Sequence, residues 1–381
     1  MIYLDNAATT WPKPMCVRTA VNEAIGRFGA NPGRGGHSMA METAAQVYAC
    51  RETAAELFGL DDPSRVVFTS NCTMALNTVI KGVLSDGGHA VVSDMEHNSV
   101  IRPLEVLATR GVSYSKATVF PHDPQRTVES FRHLIGPRTR LIVCMHASNV
   151  FGTILPIRAI GALAHAKGIP FAVDAAQSAG ILPIHMERDN IDYLCMPGHK
   201  GLYGPMGTGM LLCRNRRALN TLIEGGTGSS SLLPTQPEDL PDRFESGTLN
   251  VPGICGLHAG MKWLKSTGIH TVSQHEMHLM QRFYDRLAND DRIVLYTPRP
   301  EPSQTVPLLS LNVAGLPSEE TAARLGGIGI AVRAGLHCAP CAHVHAQTLP
   351  GGTVRVAPSA FTNEKQMETT CKILMKISRK P

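Results

Sequence analysis

The chain has 381 residues, a formal net charge of +5 and ten cysteines, with 43% hydrophobic and 18% charged residues. That length can bury a large core and predicts two domains. The positive charge is spread without a Lys/Arg block, which argues against nucleic acid as the main partner, and no apolar run of about 18 residues predicts a membrane helix.

The N-terminal stretch MIYLDNAATTWPKP lacks the basic flank and apolar run of a signal peptide. The cysteines do not have the spacing of a small disulfide framework. Several, such as Cys144 in RLIVCMHAS and Cys213 in MLLCRN, read as buried thiols in a reducing cytoplasm.

From about residue 40 to 215, short apolar runs alternate with helical patterns. RVVFTS (65–70) predicts a strand ending in a turn, and TMALNTVIKGVL (73–84) a helix. HAVVSD (89–94) and RLIVCMHAS (140–148) predict further strands. RAIGALAHAKG (158–168) predicts a helix stopped by Gly168 and then Pro170. PFAVDAA (170–176) and GTGMLLCR (207–214) predict two more strands. Continuous apolar strands joined by helices imply a parallel sheet buried on both faces, hence an α/β domain. After about residue 255, the helical IHTVSQHEMHLMQRFYDRLAND, the strand-like VPLLSLNV and a last helix suggest a smaller α+β domain.

In such sheets, ligands bind beyond the carboxyl ends of the strands. Ser70-Asn71-Cys72-Thr73 follows the first strand and opens a helix, offering N–H groups and a hydroxyl to a phosphate. Glu96-His97-Asn98, Ser148-Asn149 and Asp174 with Gln177 follow later strands, and His199-Lys200 lies just before the Gly-rich turn GLYGPMGTG. Each alone reads more readily as a helix cap, a turn or a solvated side chain than as part of a site. Together they supply a phosphate cradle, an acid, an aromatic ring and an amine, the parts that a pyridoxal phosphate site needs.

The segment LHCAPCAHVH (336–345) holds two cysteines and three histidines. Cys338-x-x-Cys341 with His343 and His345 reads as a zinc half-site, though four tetrahedral ligands from eight consecutive residues would be cramped. A disulfide or persulfide partnership of the two cysteines is a further reading. The leading one takes Cys338 as a nucleophile and Cys341 as an inert neighbour, with no metal.

The strings DNAATT, EHNS, SNVFGT, VDAAQS, GHKGLYGPMGTG, FESGTLN and RAGLHCA occur in this order from residue 3 to about 365. In them the chain resembles the class V aminotransferase family, and within it the cysteine desulfurases and selenocysteine lyases with a short catalytic loop. The resemblance implies the fold type I of pyridoxal phosphate enzymes. A large cofactor-binding domain (16–250) would have a mainly parallel seven-stranded sheet. A smaller α+β domain (1–15 and 251–381) would carry the cysteine loop.

It also implies roles. Lys200 would hold the cofactor aldehyde and shuttle protons, and Asp174 would pair with the pyridine nitrogen. His97 would stack on the ring, and Gln177 and Asn149 would bond its ring oxygen. Thr73, the Cys72 backbone and His199 would hold the phosphate, and Thr248 would reach the partner's phosphate in a homodimer. Arg355, aided by Asn149, would bind the substrate carboxylate, and Arg333 would orient the loop or act on its cysteine. Cys338 would take sulfur from L-cysteine as a persulfide, for delivery to an acceptor protein. Selenocysteine lyase, an aminotransferase or epimerase that does not use Cys338, and a non-catalytic sulfur-relay partner are the alternatives. One departure stands out: the family's usual Ser three positions before the lysine is Pro197 here.

Overall fold

A computed structural model of the chain describes residues 1–33, 36–214 and 219–379. In chain order its elements begin with β1 (Ile2–Tyr3), α1 (Met15–Gly26), α2 (Ser38–Phe58), β2 (Val66–Thr69), α3 (Cys72–Leu84), β3 (His89–Ser93), α4 (Asn98–Ala108) and β4 (Ser113–Ala117). They continue with α5 (Pro124–Leu134), β5 (Thr139–Met145), α6 (Ile157–Ala166), β6 (Phe171–Asp174), β7 (Tyr193–Pro197), β8 (Gly209–Cys213), α7 (Val251–Thr267) and α8 (Ile269–Leu287). The last are β9 (Ile293–Leu295), β10 (Leu309–Val313), α9 (Ser318–Gly326), β11 (Ile330–Ala331), α10 (Pro340–His345), β12 (Val354–Val356) and α11 (Glu364–Ser378).

Seven strands form the central sheet in the order β2-β8-β7-β6-β5-β3-β4. The pairs from β7 through β4 are parallel. β8 is antiparallel to both β2 and β7, so it alone runs against the rest. The sheet is therefore seven-stranded and mainly parallel, as the family resemblance implies. The reversal follows from the short turn after β7: a parallel return needs a crossover of a dozen or more residues, whereas Gly198–Thr208 supplies only a tight loop.

The apolar runs bury both sheet faces. Ile142, Cys144, Phe171 and Val173 lie in one core, and Leu141, Val143, Ala172 and Cys195 in the other. A large aliphatic or aromatic side chain buried this way contributes about 1.5–3 kcal/mol before chain entropy is counted. Two strands of the central sheet carried too weak a pattern for sequence reading. β4 (SYSKA) is an edge strand with mostly polar residues, and β7 (YLCMP) ends in proline.

Around the three-stranded sheet β12-β10-β9, a separate core gathers Leu4, Leu279, Phe283, Leu309, Leu311, Val354 and Leu374. Helix α7 packs its Ile254, Leu257, Met261 and Leu264 into the core of the large sheet. Among the described residues no helix is long and apolar enough to cross a membrane.

Candidate active site

Because β2, β3, β5, β6 and β7 run the same way, their carboxyl ends open on one rim. There a cavity of about 110 Å³ is lined by Asn71, Cys72, Thr73, His97, Asn149, Asp174, Gln177, Pro197, His199 and Lys200, among others. The sequence-predicted cluster is thus brought together.

The rim is built by local capping. Asn71 caps α3 by accepting the Met74 N–H at 2.9 Å, which sets Cys72 and Thr73 at the helix start. His97 caps α4, its Nδ1 3.0 Å from the Ser99 N–H and 2.9 Å from the Ser99 hydroxyl. The capping and cavity-lining readings of His97 are both true, since the cap fixes the ring through one nitrogen. Behind it, Glu96 accepts the Met145 N–H at 2.9 Å and the Ser93 hydroxyl. Burial pushes the Glu96 carboxyl up to about 8, so it ties the two strand ends together as a neutral group near pH 7.

Asp174, 4% exposed, accepts the Ala176 N–H at 2.9 Å and the Cys72 thiol at 3.5 Å. Burial, then the Asp174 charge, holds the Cys72 thiol well above its usual range, so it stays a donor. The side chain of Cys72 therefore has a task that the sequence did not reveal. Burial, then the Arg355 charge, pushes the Lys200 amine down to about 8 against the opposing pull of Asp174. A lysine so placed has far more free amine at neutral pH than a solvated one. His199 falls to about 4, by burial and then the charges of Lys200 and Lys13, and is neutral.

The lysine loop is clasped by the N-terminal segment. The His199 carbonyl accepts the Thr10 N–H at 3.1 Å and the Lys13 ammonium at 2.7 Å, and the Thr10 hydroxyl donates to the Lys200 carbonyl at 3.1 Å. Neither Thr10 nor Lys13 was singled out by sequence, because backbone clasps leave no side-chain motif. Gly201 is required here: a Cβ would overlap the Ala179 carbonyl.

Arg355, 2% exposed, donates to the Asn149 carbonyl at 2.9 Å and pairs with Asp5 at 2.9 Å, leaving its Nε without a partner. Asn149 donates to the His337 carbonyl at 2.8 Å while its Oδ1 is unpartnered. Gln177 donates to the Ala7 carbonyl at 3.0 Å. Thr248 is exposed and lines a different cavity, beside Ser70 and Gly207.

The cysteine loop docks on this rim. The carbonyl of Cys338 accepts the Asn98 N–H at 2.8 Å, next to His97. His337 and Cys338 both take left-handed backbone, with φ of 49° and 57°, a costly conformation for residues with a Cβ. Cys338 is exposed, with its sulfur 3.9 Å from an Arg333 nitrogen. His337 is not its counter-charge. That ring bonds the Thr353 carbonyl at 2.9 Å, and burial followed by the Arg355 charge pushes it down to about 3. His343 bonds Thr348 and His345 pairs with Asp94, so these rings are engaged away from the two cysteines.

The Aminotransferase class-V family profile matches residues 2–369. A probable cysteine desulfurase of Methanothermobacter thermautotrophicus is 32% identical, covering 99% of this chain and 94% of its own length. A cysteine desulfurase of Klebsiella pneumoniae is also 32% identical, covering 89% of this chain and 84% of its own. The apo structure of a cysteine desulfurase from Thermococcus onnurineus superposes with a TM-score of 0.92 at 29% identity, covering 99% of this chain and 94% of that one. The chain belongs to the class-V aminotransferase family, and its fold is the type I fold of pyridoxal phosphate enzymes.

Proposed function

We propose that this family member is a cysteine desulfurase that binds pyridoxal 5'-phosphate through Lys200, converts L-cysteine to L-alanine, and receives the sulfur on Cys338. The single observation that carries the reading is an exposed cysteine whose carbonyl is bonded to Asn98, next to His97 of the lysine-and-aspartate cavity. The relatives bear the same name over nearly the full chain. An aminotransferase or epimerase would not require that thiol, and a non-catalytic relay would not require the cavity.

The cavity fits the cofactor in donor chemistry. Asn149 Oδ1 and His199 Nδ1, on residues that line it, are buried polar atoms without partners, an unfavourable state that a polar ligand relieves. Cys72 and Thr73 at the start of α3, with neutral His199, would hold the phosphate. Asp174 would hold the protonated pyridine nitrogen, His97 would cover the ring face, and Gln177 and Asn149 would bond the ring oxygen. Pro197 offers no hydroxyl, so the phosphate would rest on these remaining groups. Bound there, the cofactor supplies the electron sink that lets bonds at the substrate α- and β-carbons break.

The chain's own residues do the rest. Free Lys200 would take the α-proton and return it. Arg355 would fork onto the substrate carboxylate with its remaining donors, aided by Asn149. The Cys338 thiolate would attack the substrate sulfur. A sulfur–sulfur bond forms, the carbon–sulfur bond breaks, its electron pair stays with the three-carbon fragment, and a proton completes alanine. Arg333 stands where it would favour that sulfur anion.

The same proposal includes a large unit (16–250), a small unit (1–15 with 251–381), and a homodimer in which Thr248 reaches the partner's phosphate. It also includes a sulfur-acceptor protein, and a cytoplasmic location that suits ten unpaired cysteines. L-cysteine, L-selenocysteine and amino donors compared in one assay test it. The account expects alanine from L-cysteine, lost in Cys338→Ala. Alanine from L-selenocysteine alone would make the chain a selenocysteine lyase, and transamination without need of Cys338 would overturn both.

A further inference from the structure

Cys341 has a setting that the inert-neighbour reading does not explain. Among the contacts that pin the loop carrying both cysteines to the rim are Asn98 N–H to the Cys338 carbonyl at 2.8 Å, Lys116 Nζ to Cys341 Sγ at 3.4 Å, and His345 to Asp94 at 2.9 Å. Lys116 lies at the carboxyl end of β4, the edge strand, with Asp94 just beyond the neighbouring β3. Cys338 therefore sits over the cavity side of the rim and Cys341 towards the outer edge. The contact joins residues 225 positions apart, and it sets a cation against a sulfur that is only partly covered.

From these placements we propose that Cys341 is a second sulfur-carrying site, which takes the sulfane sulfur from Cys338 and presents it beside Lys116 at the sheet edge. The proposal rests on the desulfurase reading. In the step, the Cys341 thiolate attacks the outer sulfur of the Cys338 persulfide. A new bond joins Cys341 Sγ to that sulfur, the bond to Cys338 Sγ breaks, and its electron pair leaves Cys338 as a thiolate. No oxidant or reductant is consumed, since one persulfide and one thiolate replace another such pair. The reach is short: three residues span at most about 11 Å between Cα atoms. The ammonium of Lys116 suits an anionic persulfide, which it would contact as it contacts the thiol. Emptying Cys338 in this way readies it for another turnover before any acceptor arrives.

The test is the alanine burst from holoenzyme and excess L-cysteine without reductant, with mass spectrometry locating the sulfane sulfur on the peptide that contains both cysteines. The wild type is expected to give a burst about twice that of Cys341→Ser, with sulfur on both cysteines. Lys116→Met, which leaves both thiols in place, is expected to shift sulfur back towards Cys338. Equal bursts in wild type and Cys341→Ser, with sulfur on Cys338 alone, would overturn the proposal. So would a Cys338–Cys341 disulfide with free sulfide, which would make Cys341 a resolving thiol. No burst in either protein would instead refute the desulfurase reading.

Discussion

The cavity at the strand ends and the cysteine loop above it solve opposite problems with opposite means. In the cavity, burial sets the chemistry: Asp174 is covered, burial pushes the Lys200 amine down to about 8, and burial keeps the Cys72 thiol protonated. In the loop, Cys338 is exposed, and its setting is backbone strain, a pinned carbonyl and a guanidinium 3.9 Å away. An amine must lose its proton to act, and burial does that. On the proposed reading the Cys338 thiol passes its sulfur on, and an exposed loop position leaves it reachable for that step.

Substitutions should separate the two regions. The largest effect is expected from Lys200→Ala, which should lose the visible absorbance of bound cofactor and at least about a thousandfold in turnover. Persistent absorbance and turnover would remove the lysine from its role. Arg355→Lys is expected to raise KM for L-cysteine by about 10–100-fold, the worth of a charged bidentate contact, with the absorbance kept. An unchanged KM would place the carboxylate elsewhere. In the apoprotein, uptake of pyridoxal phosphate should speed up as pH rises through about 8, because Lys200 is protonated below that value and free above it. A rate still climbing well past pH 9 would mean an ordinary lysine.

The amount that sequence revealed differs between the regions in the same way. The cavity was legible because its residues follow apolar strands, and chain direction alone places strand ends together. Thr10 and Lys13 were not legible, since they act on the backbone of His199 and Lys200 from a segment almost 190 residues away. In the loop, Cys338 could be read only once the cavity gave it a task. The Lys116–Cys341 contact could not be read, because β4 is a polar edge strand with no apolar signature. His337, adjacent to Cys338 in sequence, faces Thr353 in the fold.

Smaller effects bear on how the cavity is supported. Glu276 accepts the Tyr203 hydroxyl at 3.1 Å, and that hydroxyl in turn accepts the Ala360 N–H at 2.9 Å. Burial pushes Glu276 up to about 8. A carboxyl raised above its unfolded value stabilises the fold fully below that unfolded value, and the contribution is lost as pH rises through about 8. Glu276→Gln, which keeps an acceptor for Tyr203, should therefore flatten the fall in Tm between about pH 5 and pH 8 by about a few degrees. Parallel curves for both proteins would show that Glu276 does not titrate in this range. Arg333→Gln should slow sulfur transfer to Cys338 by about three- to tenfold, with the cofactor absorbance unchanged. An unaltered rate would leave Arg333 a purely structural residue.

The most direct measurement follows wild type and Cys338→Ser together after addition of L-cysteine, reading cofactor absorbance and alanine in the same sample. Both proteins should show an absorbance response, since the cavity is intact in each, and only the wild type should release alanine. Alanine release by Cys338→Ser at the wild-type rate would contradict the division of labour between the buried cavity and the exposed thiol.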